Sequence, residues 1–151
     1  MKEVSIYIAS GIKSLRKQNG YIGYCLEYYP EGSKYAKTLI DYEPVEDMTG
    51  NASELEALIR ALKRMREKCI LSIYTESTYI NMGLGERRLV DKWIKSGWKT
   101  GKNVEVKNKT KWQETLNLLN GSLYQIHLKE PNAYVKMLQI EAEKRGEIRN
   151  V

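Results

Sequence analysis

Residues 87–112 concentrate the groups with the most obvious chemistry: nine of the chain's 25 basic residues, two acids and all three tryptophans. This basic segment (residues 87–112) therefore has a net charge of +7, whereas the whole chain has +6. Clustered lysines and arginines bind phosphate groups, and interleaved aromatic rings accompany them in nucleic-acid-binding surfaces. The pattern predicts binding to a phosphate backbone, although a solvated helix face whose tryptophans pack into a core has the same composition.

The composition limits the class of protein. The 151 residues are 42% hydrophobic and 29% charged, which predicts one globular domain spanning residues 1–151. No run approaches the roughly 20 apolar residues of a membrane span, and the first residues lack the apolar core of a signal peptide. Cys25 and Cys69 lie in apolar runs without metal-site spacing and are expected to be reduced. We therefore expect a cytoplasmic protein that does not associate with membranes.

The hydrophobic pattern predicts the elements that position the basic segment. Alternating and β-branched runs indicate strands, and apolar residues spaced by three and four indicate helices. The predicted strands are 4–9, 21–29, 35–42, 69–74 and 123–128, and the predicted helices are 52–68, 76–84, 86–96, 109–119 and a terminal helix with Pro131 in its first turn. The first three strands are expected to form an antiparallel meander. The strand–helix–strand order that follows favours a parallel pair with a right-handed crossover.

This order and four local strings resemble the ribonuclease H family, in the type I branch that carries a basic protrusion. The strings are VSIYIAS, TGNASELEAL, LSIYTESTYI, and WIKSGWKT followed by VKNKTKW. The last is the most specific, because its tryptophan and lysine spacing agrees over about 20 residues. The resemblance implies an α/β, ribonuclease H-like fold: a five-stranded mixed sheet, with three antiparallel strands and then parallel strands, and helices on both faces. It also implies a monomer with its protrusion at about residues 86–112.

The resemblance further implies a chemistry that this chain has altered. The family hydrolyses the RNA strand of RNA–DNA hybrids with two Mg²⁺ ions held by four carboxylates. The corresponding residues here are Ala9, Glu54, Glu76 and Lys136, so two of the four acids are replaced. Glu76 is one methylene longer than the aspartate of the family. The family's mobile G-H-x-G-H loop is also missing, because residues 129–132 connect the last strand directly to the terminal helix.

These replacements change the metal chemistry expected of the site. Glu54 and Glu76 are the catalytic remnants and the candidate metal ligands, so we expect Mg²⁺ to bind weakly or not at all. No cofactor is expected, and Mg²⁺ or Mn²⁺ is required only if the chain is active. An ammonium group beside two carboxylates relieves their repulsion without an ion. We therefore predict that Lys136 lies near Glu54 or Glu76; the alternative is that it points to solvent.

Nucleic-acid binding is the family property that these replacements leave in place. The family reads duplex shape with few base-specific contacts. Thr49 and Asn51 stand at a helix N-terminus, where backbone N–H groups favour anions, although a role limited to capping stays open. The backbone-contact candidates in the basic segment are Lys95, Trp98, Lys99 and Lys102. Trp93 and Trp112 are expected to pack the protrusion against the body.

Three interpretations follow from these residues. The first is a ribonuclease H-like protein that binds RNA–DNA hybrid or duplex RNA without cutting it. The second is an active, divergent, metal-dependent ribonuclease in which another acid replaces the missing ones. The third is a scaffold for protein partners. The replaced acids favour the first interpretation.

His127, the only histidine, lies within a predicted strand and is expected to have its hydrogen bonds satisfied there rather than to act in product release.

Overall fold

The computed structural model describes residues 1–150, with strands and helices in the predicted order. The strands are β1 (Lys2–Ser10), β2 (Gln18–Tyr28), β3 (Lys37–Met48), β4 (Cys69–Thr75) and β5 (Leu123–Leu128). The helices are α1 (Gly50–Lys63), α2 (Thr78–Leu84), α3 (Leu89–Lys95), α4 (Lys109–Leu119) and α5 (Val135–Arg149). The bounds of α4 and β5 coincide with the predicted ones.

The five strands form one mixed sheet in the order β3-β2-β1-β4-β5. β1 pairs with β2, and β2 with β3, in antiparallel register, whereas β4 pairs in parallel with both β1 and β5. The predicted meander and parallel crossover are therefore confirmed. Tyr7 of β1 lies opposite Tyr74 of β4, so the carboxyl ends of these two strands reach the same edge of the sheet.

Helices cover both faces of the sheet, as predicted. α1 packs against β1 and β2 on one face, and α5 packs against the same two strands on the other. Because side chains alternate along a strand, β1 contributes to both sides. Ile6 and Ile8 join the larger core with α1, whereas Tyr7 and Ala9 join a smaller apolar cluster, which also contains Cys25, Val135 and Leu138.

Strand β3 is longer than the predicted 35–42. It pairs with β2 from Lys37, opposite Tyr28, to Met48, opposite Gln18. Because β3 is an edge strand, only one of its sides needs hydrogen-bond partners. It therefore accommodates charged residues and Pro44, which the sequence pattern disfavours in a strand.

The end of α1 and the start of α5 differ most from the predicted boundaries, whereas the start of α1 and the bounds of α2 and α3 differ by three residues or fewer. α1 ends at Lys63 rather than at residue 68, and Met65 closes the last turn through a hydrogen bond to the carbonyl of Leu62 at 3.1 Å. α5 begins at Val135, so placing Pro131 in its first turn was wrong. Asn132 makes a turn just before the helix, where its side-chain oxygen accepts hydrogen bonds from the backbone N–H groups of Tyr134 at 3.0 Å and Val135 at 2.8 Å.

Two further features of the structure concern possible membrane helices and the two cysteines. Within residues 1–150, no helix has both the length and the apolar character that a membrane crossing requires. Cys25 and Cys69 are free and buried, as expected for core thiols.

Trp112 anchors the basic segment to the body of the fold. Its side chain is fully buried, and its indole N–H donates a hydrogen bond to the hydroxyl of Tyr79 at 2.9 Å. The ring of Trp93 packs against it with centroids 5.4 Å apart. Both tryptophans therefore have the predicted packing role. The contact is tight, because a Cβ atom on Gly83 would lie 2.3 Å from the Trp112 ring.

Replacing Gly83 with alanine is expected to lower the free energy of unfolding by roughly 1–2 kcal/mol. Overlap with a fully buried ring costs about 1–3 kcal/mol, and the gain in helix propensity offsets up to about 1 kcal/mol of it. Chemical denaturation followed by tryptophan fluorescence measures the loss. Gly101→Ala is the matched control, because a Cβ atom there meets nothing within 4 Å. Equal stability of the two variants would contradict this packing.

Candidate functional site

The four positions that correspond to the family's metal-binding carboxylates lie near one edge of the sheet. Ala9 is near the end of β1, and Glu76 directly follows β4, its parallel neighbour. Glu54 lies in α1, and its carboxyl group is close enough to the backbone N–H of Ser10 and to Glu76 for both to act on its pKa. Val135, the first residue of α5, packs in the same apolar cluster as Ala9. The fold therefore brings β1, β4, α1 and the start of α5 together as the sequence comparison requires.

The carboxyl group of Glu54 is buried, and few neighbouring groups stabilise a negative charge on it. Its Oε2 atom is buried and has no hydrogen-bond partner among residues 1–150. Burial raises the pKa of Glu54 to about 8, and the negative charge of Glu76 adds to the rise. The Ser10 N–H group and the ammonium of Lys13 act in the opposite direction but do not cancel it. Burial therefore favours the protonated form of Glu54 over the ionised form.

Lys136 does not provide the predicted ion pair. It is exposed and forms no salt bridge with Glu54 or Glu76, although both of them lie in the described part of the chain. The helix geometry explains this orientation, because Val135 and Leu138 take the positions that face the sheet. Lys136 instead points to solvent, which is the alternative that the sequence left open. The cation acting on Glu54 is Lys13, which itself pairs with Glu143 at 3.0 Å.

The residues present do not fit a two-metal centre. Ala9 supplies no ligand atom and lies in an apolar cluster. Glu76 is exposed, and burial of Glu54 disfavours the ionised form that a metal ligand requires. Among residues 1–150, no three His, Cys, Asp or Glu side chains are grouped closely enough to hold a metal ion. The chemistry of this site is therefore derived without a metal-dependent step.

A tyrosine–glutamate clasp holds α5 beside Ala9, and its residues were not among those predicted from the sequence. Glu27 on β2 accepts a hydrogen bond from the hydroxyl of Tyr7 at 3.0 Å and another from the hydroxyl of Tyr134 at 3.1 Å. Tyr134 precedes the first residue of α5, so the clasp ties the start of this helix to two strands. The alternation in β1, which places Tyr7 on the same face as Ala9, was the available signal.

His127 takes part in a row of stacked rings on the same face. Its ring stacks on Tyr74 with centroids 4.5 Å apart, and Tyr74 stacks on Tyr7 at 4.9 Å. Nδ1 is paired with the carboxylate of Glu130, but Nε2 is buried and has no partner among residues 1–150. The expectation of a satisfied strand histidine is therefore correct for only one of its two ring nitrogens.

Thr49 and Asn51 lie at the N-terminus of α1 and have different roles there. The hydroxyl of Thr49 accepts a hydrogen bond from the backbone N–H of Ala52 at 3.2 Å and caps the helix. Asn51 is exposed, and its side chain makes no hydrogen bond within the described residues. The structure therefore gives Thr49 a capping role and leaves the side chain of Asn51 available to a ligand.

Most of the cations in the basic segment have no acidic partner within residues 1–150. Arg88, Lys109 and Lys111 pair with acids. Its six other basic side chains form no salt bridge within residues 1–150: Arg87, Lys92, Lys95, Lys99, Lys102 and Lys107. Three of the predicted backbone-contact residues are in this exposed set.

Trp98, the fourth of those candidates, has a structural role as well. Its ring is half-buried against the core and packs on Trp93 with centroids 6.1 Å apart. Its backbone N–H donates to the carbonyl of Trp93 at 2.7 Å, and its carbonyl accepts from the N–H of Val106 at 2.9 Å. Trp98 thus fixes the base of the loop that carries Lys99 and Lys102.

Sequence comparison connects this arrangement to known proteins. A sequence model of the RNase H family matches residues 1–130. A ribonuclease H of Caldicellulosiruptor saccharolyticus is 39% identical over 119 residues, which cover 79% of this chain and 77% of that protein. A ribonuclease H of Acetivibrio thermocellus is 39% identical over 120 residues, which cover 80% of this chain and 76% of that protein.

Solved structures show the same fold. LC9-RNase H1, described as a type 1 RNase H with the type 2 active-site motif, has a TM-score of 0.73 at 20% identity, covering 96% of this chain and 74% of that one. The foamy viral protease-reverse transcriptase in complex with RNA/DNA hybrid has a TM-score of 0.64 at 18% identity, covering 97% of this chain and 19% of that one.

The buried carboxyl group of Glu54 predicts a pH dependence of stability. Its pKa is about 8 in the folded chain against an ordinary value of 4.5, so the folded state holds the proton more tightly than the unfolded state. The free energy of unfolding should therefore fall as the pH rises from about 4.5 to about 8, by an amount on the order of a few kcal/mol.

Glu54→Gln should remove this decline, because the amide stays neutral at every pH. Chemical denaturation across that pH range measures it, and Glu31→Gln, at an exposed glutamate, should keep the wild-type slope. A Glu54→Gln variant with the same decline as the wild type would show that another group is responsible.

Proposed function

The chain belongs to the ribonuclease H family, and on that premise we propose that it binds an RNA–DNA hybrid through its basic segment without cleaving it. Duplex RNA is the alternative ligand, because it too is recognised by its shape and backbone. The observation that carries the proposal is the combination of a site without its metal ligands and a basic segment that keeps its unpaired cations. We further propose that the chain acts as a monomer in the cytoplasm.

The residues of the acidic site (Ala9, Glu54 and Glu76) support the proposal that the chain does not cleave its ligand. Two-metal hydrolysis requires ionised oxygen ligands that position both ions, activate water and stabilise the leaving oxygen. Ala9 offers no oxygen, and burial of Glu54 disfavours its ionised form. Glu76 alone, exposed at the end of β4, is a weak site for one hard cation. Hydrolysis by the family mechanism therefore lacks the charges that it needs.

The basic segment supports the retention of binding. Each phosphate neutralised by a lysine or arginine releases condensed counterions, and this release drives association regardless of base sequence. Lys95, Lys99 and Lys102 are exposed on α3 and the loop after it, and the buried ring of Trp112 fixes the segment to the body. A nucleic-acid backbone thus meets a positive surface on a rigid support.

A divergent, metal-dependent ribonuclease is the second candidate, and one observation favours it. The Oε2 atom of Glu54 is buried without a hydrogen-bond partner, and such an atom gains from a cation brought close to it. This alternative requires a metal-bound state with an additional ligand beside Glu54 and Glu76.

Binding is tested by replacing Lys95, Lys99 and Lys102 together with glutamine. The affinity for a labelled RNA–DNA hybrid should fall, and the slope of log K against log salt concentration should flatten by about 0.9 for each lost phosphate contact on a B-form duplex, with a similar effect on a hybrid. Fluorescence anisotropy over a range of salt concentrations gives both quantities.

The matched control replaces three exposed lysines outside the basic segment: Lys34, Lys68 and Lys144. It removes the same charge and should leave the salt slope nearly unchanged. Equal slopes for the two triple variants would exclude the basic segment as the binding surface.

A further inference from the structure

A second concave site lies at the end of the sheet opposite Glu54. This basal groove is bounded by the start of β1, the end of β2, the start of β3 and the α1–β4 connection (residues 64–68), and has a volume of about 440 Å³. Glu54 is near the start of α1, and Arg64 follows its end. Ten residues of helix separate the two by about 15 Å. The basal groove is therefore distinct from the acidic site.

The floor of the basal groove is apolar. Val4 is buried, Leu26 and Met65 are half-buried, and Leu39 is 37% exposed. These side chains come from three strands and the α1–β4 connection, which leave a gap that no apolar group of residues 1–150 fills. A ligand with an apolar body removes this surface from water, which is the favourable term in such a site.

The rim of the basal groove is positively charged. Four cations line it, Lys2, Lys37, Arg64 and Arg66, against one carboxylate, Glu67. Lys2 neutralises Glu67 at 3.2 Å. Arg64 donates to the hydroxyl of Tyr24 at 2.9 Å and to Asp41 at 3.4 Å. Lys37 and Arg66 have no ion pair or side-chain hydrogen bond within residues 1–150.

We propose that the basal groove is a binding site for an organic anion with an apolar body, such as an alkyl or aryl carboxylate. The floor takes the apolar body, and the two unpaired cations, Lys37 and Arg66, take the negative head. A sugar–phosphate backbone suits this site less well, because its polar surface gains nothing from an apolar floor. The same chemistry is presented by a free small molecule and by a peptide segment that combines acidic and apolar side chains.

Decanoate is the probe, and decanol is its uncharged counterpart. In a ¹⁵N-resolved NMR titration, decanoate should shift the backbone amides of Val4, Leu26, Leu39 and Met65, whereas decanol should bind more weakly. Shifts clustered elsewhere, or equal binding of decanol, would overturn the proposal. A short peptide of glutamate and leucine, added to the decanoate complex, distinguishes the sources. Displacement indicates a protein segment as the natural ligand, and no displacement indicates a free small anion.

The charge requirement is tested with Lys37→Glu combined with Arg66→Glu. Losing two exposed charge contacts should weaken decanoate binding roughly fivefold or more. The matched control, Lys92→Glu with Lys144→Glu, makes the same change in net charge at exposed residues away from the basal groove. Equal weakening in both variants would show a general charge effect and would contradict the proposed site.

Discussion

Carboxylates gathered at one edge of a sheet repel one another unless a positive charge or a proton lies between them, and this constraint organises the acidic site. The parallel pairing of β1 and β4 and the position of α1 bring Ala9, Glu54 and Glu76 to the same place. In this chain position 9 is an alanine within an apolar cluster, and burial together with the charge of Glu76 raises the pKa of Glu54.

The surroundings of Ala9 are consistent with this change. Ala9 lies among apolar side chains under α5, and Glu27 links Tyr7 to Tyr134 across the same face. These contacts attach α5 to the sheet through hydrogen bonds and apolar packing. A metal cluster would have to assemble within this arrangement, beside a methyl group rather than a carboxylate. The basic segment is attached independently, through Trp112 on the other face, so its cations do not depend on the acidic site.

Much of the fold is predictable because its signals are local and strong. α4 and β5 have clear periodicity, and their predicted bounds agree with the structure. β3 was predicted too short, because an edge strand tolerates Pro44 and charged residues that local pattern rules count against a strand. α5 was predicted to begin too early, since a turn formed by the side chain of Asn132 precedes its first residue. Motif spacing selected Glu54 and Glu76, whose carboxyl groups the fold brings close enough to interact.

Side-chain direction and burial were not predictable from spacing. Lys136 was expected to face the carboxylates, but the helix phase set by Val135 turns it to solvent. Lys13 takes its place as the cation acting on Glu54, and no local pattern marked it. Trp98 was expected to contact nucleic acid, and in the structure it also fixes the base of the loop that carries Lys99 and Lys102. The first two depend on contacts between residues far apart in the chain, whereas Trp98 is held by its near neighbours Trp93 and Val106.

The most direct test of the account is to measure cleavage and binding of one labelled RNA–DNA hybrid with Mg²⁺, with Mn²⁺ and with a chelator. The account predicts binding of equal affinity in all three conditions and an uncut RNA strand. Metal-dependent cleavage that Glu54→Gln abolishes would contradict it, and would show that the remaining carboxylates assemble a working metal site despite Ala9 and Lys136.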